Sequence, residues 1–330
     1  MIIRDNSEVR KHNKKKIRQE LRKNITASKQ QMSNMTGLSV ATCNTLLNEM
    51  ESEGEVVSEK TLTSKVGRST SIYSLNEYYE LYLCLEFSMV KTKRVLTWNV
   101  MTIYEHVLER SVETHDFLDE SMLLKVIADI RLKYPRICSI SIGTPSIAEH
   151  NIIKYCDIPE LEGSSFVKEL SLPVAMENDM HLKAYGYFKA ECIENEIVTL
   201  GLFSEHLLPG TSTIVKGHII RGANQIAGLV GFLPFGISRE ELKTKFSSDS
   251  HLEFTAKSIV SIIVALNPHK MVLCGDLLNL QEVELLKTTC ANSIPEEYLP
   301  TFVYVEDMEK YYVRGMFHRA LEVSEGYEHH

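Results

Sequence analysis

No apolar run in this 330-residue chain approaches the ~20 residues that crossing a bilayer requires. The opening MIIRDNSEVRKHNKKK carries charge with no apolar stretch behind it, so neither a signal peptide nor a membrane partner is expected. The cytoplasm is the expected compartment. Paired cysteines are lacking too. The seven cysteines (Cys43, Cys84, Cys138, Cys156, Cys192, Cys274 and Cys290) are scattered, odd in number and never spaced C-x-x-C. That spacing argues against a disulfide framework and against a zinc site. Most sit among apolar neighbours, as in KYCDI and MVLCGD, and read as small core residues. The terminal His329 and His330 are assigned no function. No metal and no cofactor is expected.

What the chain does contain is ordinary globular material, 44% hydrophobic and 24% charged, enough for two or three domains of ~100–200 residues each. Its net charge of −8 conceals an asymmetry. Residues 1–76 hold thirteen Lys or Arg against eight Asp or Glu, a balance of +5, so the remainder carries −13. A small basic segment on an acidic body is the electrostatic outline of a nucleic-acid reader, although one charge run alone is equally a solvated helix face.

Patterning says more. In KKKIRQELRKN (14–24), Ile17 and Leu21 lie four apart, which predicts an amphipathic helix of about three turns with a basic outer face. Ser28 stands where an N-cap belongs, and the helix it opens must stop at Gly37. Leu38 plugs the turn, and Ser39 caps a third helix running to about Glu53, with Cys43, Leu46, Leu47 and Met50 as its buried stripe. Two short helices joined by Thr36-Gly37-Leu38-Ser39 have helix-turn-helix spacing, the second helix being the one that enters a major groove. EVVSEK and TSIYSLN, separated by the polar Thr61–Thr70 loop, then read as a two-stranded wing. The candidate DNA contacts are Ser39, Val40, Ala41, Thr42, Asn44 and Thr45 at the start of the third helix. Ala41 and Thr42 suit a thymine methyl, and Asn44 suits a base edge or phosphate. Lys29, Lys65 and Arg68 would attract phosphate without regard to sequence. A winged helix also serves as a protein-docking module. The basic charge favours DNA.

From Tyr82 onward strands alternate with helices. YLCLEF, RVLTWNV and a stretch near Ile103 read as strands, MLLKVIADIRLKY as a helix, CSISIGTP as a strand, SSFVKELS as a helix, LPVAMEND as a strand and HLKAYGYFKAE as a helix. The pattern restarts with EIVTLGLF, STIVKGHII and GANQIAG, then the apolar helix LEFTAKSIVSIIVALN, KMVLCGD, a helix near Val283–Cys290, TFVYVED and a last helix through Met316–Val323. Two successive halves of this kind predict duplicated α/β lobes around a cleft, the default place for a small ligand.

Several stretches carry a family resemblance that spans essentially the whole chain. SKQQMSNMTGLSVATCNTLLNEMESEGEV and GRST (67–70) resemble the helix-turn-helix and the Gly-Arg wing of the ROK family (repressors, open reading frames and kinases), in its transcription-regulator branch. SIGTPS (141–146), LPVAMENDMHLKAYGY (172–187) and IVKGHIIRGANQIAGLVGFLP (214–234) are similar to three further family segments. The resemblance implies an α/β protein with a winged helix-turn-helix at 1–76 and a two-lobed, actin-like sugar-kinase fold at 77–330. The lobes would cover about 77–193 and 194–303, followed by a C-terminal helix at 304–324. It also implies an effector site at Thr144, Asp157, Glu177, Asn178 and Asp179. In kinase members the position of Asp179 is the general base that takes a proton from a sugar hydroxyl. Helix capping by Asn178 and Asp179 is the alternative role, compatible with the first.

The departures from the family point away from catalysis. Phosphoryl transfer needs phosphate cradles, and glycines let backbone amides approach the phosphate. The family's D-x-G-G-T is matched by Glu86-Phe87-Ser88-Met89-Val90, its G-T-G by His206-Leu207-Leu208, and its G-G-G by Cys274-Gly275-Asp276. A sugar-binding Glu and a sugar- or zinc-contacting His of the family appear as Leu229 and Phe232, a family Asn as Asp157, and the Cys-rich zinc loop is replaced by FGISREELKTKFSS. Near the middle of the third helix, where members often carry a basic residue, stands Thr45. The expected protein is a DNA-binding regulator, read as a repressor, that senses a sugar or sugar derivative without phosphorylating it. A homodimer or homotetramer on a palindromic operator is expected. The enzyme-class alternative is a sugar kinase with an appended DNA-binding domain.

Overall fold

The computed structural model describes residues 6–62, 69–149, 152–154, 156–205, 208–248 and 251–326. The chain divides into two compact units. One takes in the chain up to Tyr82 with Val100–Glu109 and Ile130–Cys138; the other holds Leu83–Asn99, Arg110–Asp129 and Ser139 onward.

The first unit opens with helix α1 (Asn6–Asn24), strand β1 (Ala27–Ser28), helices α2 (Lys29–Thr36) and α3 (Val40–Ser52), and strands β2 (Val56–Leu62) and β3 (Ser69–Leu75). Its caps are those the sequence predicts. The Ser28 side chain accepts from the Gln31 amide while the Gln31 side chain accepts from Ser28, a reciprocal capping box. Gly37 ends α2 at φ 71°, a left-handed conformation that costs a side-chain-bearing residue about 1–2 kcal/mol. Ser39 opens α3, accepting from the Thr42 amide. Ile17, Leu21, Met32, Cys43, Leu46, Leu47 and Met50 are all buried, so the three helices share one core closed by Val56, Tyr73 and Leu75 of the strands.

Helix α1 is longer than its apolar spacing predicts, and the reason is electrostatic. Arg10, Lys14 and Arg18, one turn apart, face Glu49 near the end of α3 and Glu53 and Glu55 just beyond it: Lys14 lies 2.8 Å from Glu49 and 2.8 Å from Glu53, Arg18 lies 2.6 Å from Glu55, and Arg10 pairs with Glu49. Part of the expected basic outer face is therefore spent inside the unit, and those three cations are not free for phosphate.

The chain continues with β4 (Leu81–Val90), β5 (Lys93–Thr102), β6 (Val107–His115), α4 (Glu120–Lys133), β7 (Ile137–Thr144), a small hairpin of β8 (Ile147–Glu149) and β9 (Ile152–Lys154), β10 (Val174–Asn178) and α5 (Asp179–Glu191). It restarts with β11 (Ile197–Leu202), β12 (Gly210–Val215), β13 (His218–Ile220), α6 (Arg239–Phe246), α7 (His251–Leu266), β14 (Lys270–Cys274), α8 (Leu280–Ala291), β15 (Thr301–Tyr304) and α9 (Glu309–Gly326). The two five-stranded sheets run β10-β7-β4-β5-β6 and β13-β12-β11-β14-β15. Read from opposite edges, both have three consecutive strands followed by two that come later in the chain. The duplication expected from the sequence is thus present in the strand order. In the second sheet β11 pairs antiparallel with β12 and parallel with β14.

Alternation along the strands sorts the core of the second sheet into two layers. Val198, Leu200, Val272 and Cys274 pack with Tyr185 and Phe188 of α5 and Tyr311 of α9. Met271 and Leu273 instead meet Phe246 of α6, Ile259 of α7 and Leu286 of α8. Helices α5 and α9 approach closely, through glycine. A Cβ on Gly186 would lie 1.7 Å from the Tyr311 carbonyl oxygen, and one on Gly315 would lie 2.0 Å from that of Leu182. This contact fixes α5, which leaves the end of β10 and lies on the second sheet.

Two expected elements differ. SSFVKELS holds only a 3-10 turn at Phe166–Glu169, with Phe166 and Val167 buried and no side-chain cap bond at Ser165 to start a longer helix. GANQIAG is no strand. Gly222, Gln225 and Gly228 all have positive φ (72°, 60° and 92°), which extended pairing cannot accommodate.

Candidate functional site

The start of α3 presents Val40 (42% exposed) with Ala41, Asn44 and Thr45 at the surface, while Thr42 is half-buried. Several of their polar atoms already have local partners. The Ser39 hydroxyl lies 2.8 Å from that of Thr42, and the Thr45 hydroxyl donates to the Ala41 carbonyl at 3.1 Å. Lys29, half-buried at the start of α2, bonds the side-chain oxygens of Asn44 and, at 3.1 Å, Asn48, with its ammonium 5.4 Å from the Tyr73 ring centroid. Lys29 thus locks α2 to α3 as well as supplying charge. Asn48, exposed one turn beyond Asn44, belongs to this face and was missed in the sequence. Its signal was the i, i+4 spacing of the two asparagines. Lys65 and Arg68 lie outside the described residues, as do His206 and Leu207 of the matched phosphate loop.

In the second unit a cavity of about 290 Å³ is lined from one side by Asp157, Glu177, Asn178 and Asp179 and from the other by Thr211, Gln225 and Leu229. Four of the five expected effector residues meet there. Thr144 does not line it: buried, its hydroxyl lies 2.5 Å from that of Ser146.

Most of the polar atoms gathered here already have internal partners. The Asn178 side chain caps α5, accepting from the Met180 amide at 2.9 Å and donating to the Ser146 carbonyl at 3.2 Å. Glu177 is buried and bound by His181 Nδ1 at 3.0 Å and by Nε and Nη2 of Arg221, with Nε 3.1 Å away. Burial alone would raise its pKa. The hydrogen bonds and charge of His181 and Arg221 overcome that penalty and hold the carboxyl at about 2. Asp179 forms a 2.6 Å ion pair with Lys183, one turn along α5. Asp157 is exposed at the rim.

Lys183 is the residue whose importance the sequence did not reveal. Burial lowers its pKa, but Asp179 and Glu86 more than restore it, and its ammonium lies 5.2 Å from the Tyr312 ring centroid. Glu86, the match to the first phosphate-loop residue, lies within β4 and hydrogen-bonds Thr97 and Tyr312. Burial raises its pKa, with Lys183 opposing. Lys183 therefore pairs directly with Asp179 and also feels the charge of Glu86. Among the described residues, no three His, Cys, Asp or Glu side chains converge as a metal site requires. No helix among the described residues is long and apolar enough to cross a membrane.

Comparison with known proteins agrees with this architecture. Residues 10–56 match a family model described as winged helix-turn-helix DNA-binding. The chain is 27% identical over 240 residues to the xylose repressor of Staphylococcus xylosus, covering 69% of this chain and 61% of that protein. It is 24% identical over 248 residues to the xylose repressor of Bacillus spizizenii, covering 71% and 63%. The chain thus spans less than two thirds of the length of these relatives. The crystal structure of a ROK family transcriptional regulator, a homologue of the E. coli MLC protein, superposes with a TM-score of 0.71 at 15% identity, covering 96% of this chain and 97% of that one. The resemblance to ROK regulators and the expected fold, a winged helix-turn-helix followed by a sugar-kinase-like α/β body, are borne out.

Proposed function

We propose that the chain is a sequence-specific DNA-binding transcription repressor whose large domain senses a sugar or sugar derivative without phosphorylating it. The observation that carries this reading is the exposed, capped start of α3, set on a three-helix core within the segment that matches a DNA-binding winged helix. Residues 1–76 would serve as the reader and 77–330 as the sensor. Val40 and Ala41 expose apolar surface at the start of α3, which suits a thymine methyl, and Asn44 lies one turn on for a base edge or phosphate. A homodimer or homotetramer would set two such helices about one DNA turn apart on a palindromic operator. The effector would enter between Asp157 and the Glu177–Asp179 triplet. It would act through unequal affinity for two lobe arrangements.

The pairing of Asp179 with Lys183 supports the non-catalytic half of this reading. A general base must have its lone pair free for the sugar proton, and here that carboxylate already faces an ammonium at 2.6 Å. The absence of glycine at Glu86–Val90 points the same way. In favour of the rival reading, a kinase with an appended reader, stands the intact Glu177-Asn178-Asp179 triplet. Incubation with ATP and a panel of hexoses, pentoses and amino sugars separates the two. We expect no turnover, and phosphorylation abolished by Asp179→Asn would establish the kinase. A thermal-shift screen with the same sugars tests the sensor, since a ligand of the native state raises its melting temperature.

A further inference from the structure

A second cavity in the large unit, about 540 Å³, is larger than the effector cleft and lies beside α5, β13 and α9. Four permanent cations line it, Lys189, Lys216, Arg221 and Arg319, with His218, against the carboxylates of Glu194 and Glu322. That balance is notable in a segment, residues 77–330, whose net charge is −13. Arg319 is the centre of it. Nη1 pairs with Glu322, and Nη2 lies 3.9 Å from Glu177. Nε is buried with no acceptor among the described residues. The Arg319 side chain as a whole remains 25% exposed, so an incoming oxygen meets its open surface rather than the enclosed Nε. Lys189 and Lys216 are exposed, and Lys216 makes no ion pair among the described residues.

We propose that this cavity binds a small phosphate monoester, with the phosphate held by Arg319, Lys189 and Lys216. A guanidinium edge with two ammonium groups suits a multiply charged tetrahedral anion better than a single carboxylate. The remaining volume, walled by Tyr185, Phe188 and Ile219, leaves space for an organic body. Arg221 and Arg319 also reach Glu177, which lines the effector cleft. An occupant here therefore competes for the cations that hold Glu177, and its affinity is coupled to that of the effector, reciprocally. The coupling rests on the effector reading; the phosphate site does not.

Calorimetry on the full chain tests it, with ribose 5-phosphate and inorganic phosphate as probes and ribose as the control. Ribose 5-phosphate should bind, and Lys189→Gln with Lys216→Gln should weaken it by about tenfold or more, while Asp157→Ala leaves it unchanged. No binding of either phosphate, equal affinity in the double variant, or loss caused by Asp157→Ala would overturn the proposal. Should the cleft take no sugar while the double variant still loses ribose 5-phosphate, the effector reading fails and the phosphate site stands.

Discussion

The winged helix and the cavity beside Asp157 and Glu177 place polar side chains differently. At the winged helix the hydroxyls of Ser28, Ser39 and Thr45 bond locally, with Gln31, Thr42 and Ala41, all within four residues. At that cavity, Glu177 draws on Arg221 and Arg319, 44 and 142 positions away, and Lys183, paired with Asp179, also feels Glu86 of β4. Local bonds leave the face of α3 open to an outside partner. The long-range bonds satisfy the cleft from within, so a ligand there must exchange partners rather than meet vacant groups.

Breaking the long-range framework should cost most. Gly186→Ala would set a methyl against the Tyr311 backbone where α5 and α9 touch, and we expect a loss of about 3 kcal/mol, read as a fall in melting temperature. Gly37→Ala, at an exposed left-handed cap with open space around it, should cost about 1 kcal/mol. Equal losses at the two glycines would erase the contrast between the regions.

Glu177→Gln removes a buried charge with three partners, and about 3 kcal/mol of stability should go with it at neutral pH. The pH dependence has a definite sign. The folded carboxyl is held at about 2 against an ordinary 4.5, so its contribution is complete above about pH 4.5 and is lost as pH falls towards 2. Denaturation curves of wild type and variant should therefore converge on acidification. A gap that widens in acid contradicts the assignment.

Smaller effects belong to the winged helix. Ser28→Ala should cost about 1 kcal/mol, the usual worth of an N-cap, by chemical denaturation. Lys29→Met should lower DNA affinity and reduce the salt slope by about one if its ammonium reaches phosphate. An unchanged slope would confine Lys29 to fastening α2 to α3.

The same contrast explains how much was legible in the sequence. Ser28, Gly37, Ser39 and the stripe Cys43–Met50 act on near neighbours, so chain order alone placed them. The repeated strand order was legible because strand and helix periods repeat along the chain. Lys183 is one turn from Asp179, but its second carboxylate, Glu86, arrives through the fold, and no spacing rule brings them together. The extended α1 was missed for a related reason: ion pairs with α3, not apolar periodicity, hold its first turns.

Equilibrium binding of the full chain to the DNA upstream of its own gene, at roughly 50 and 200 mM salt, tests the central claim most directly. We predict specific binding that weakens by about tenfold or more at the higher salt and falls further with Asn44→Ala. Binding that is absent, or indifferent to salt, would contradict the account and leave the winged helix as a protein-docking module.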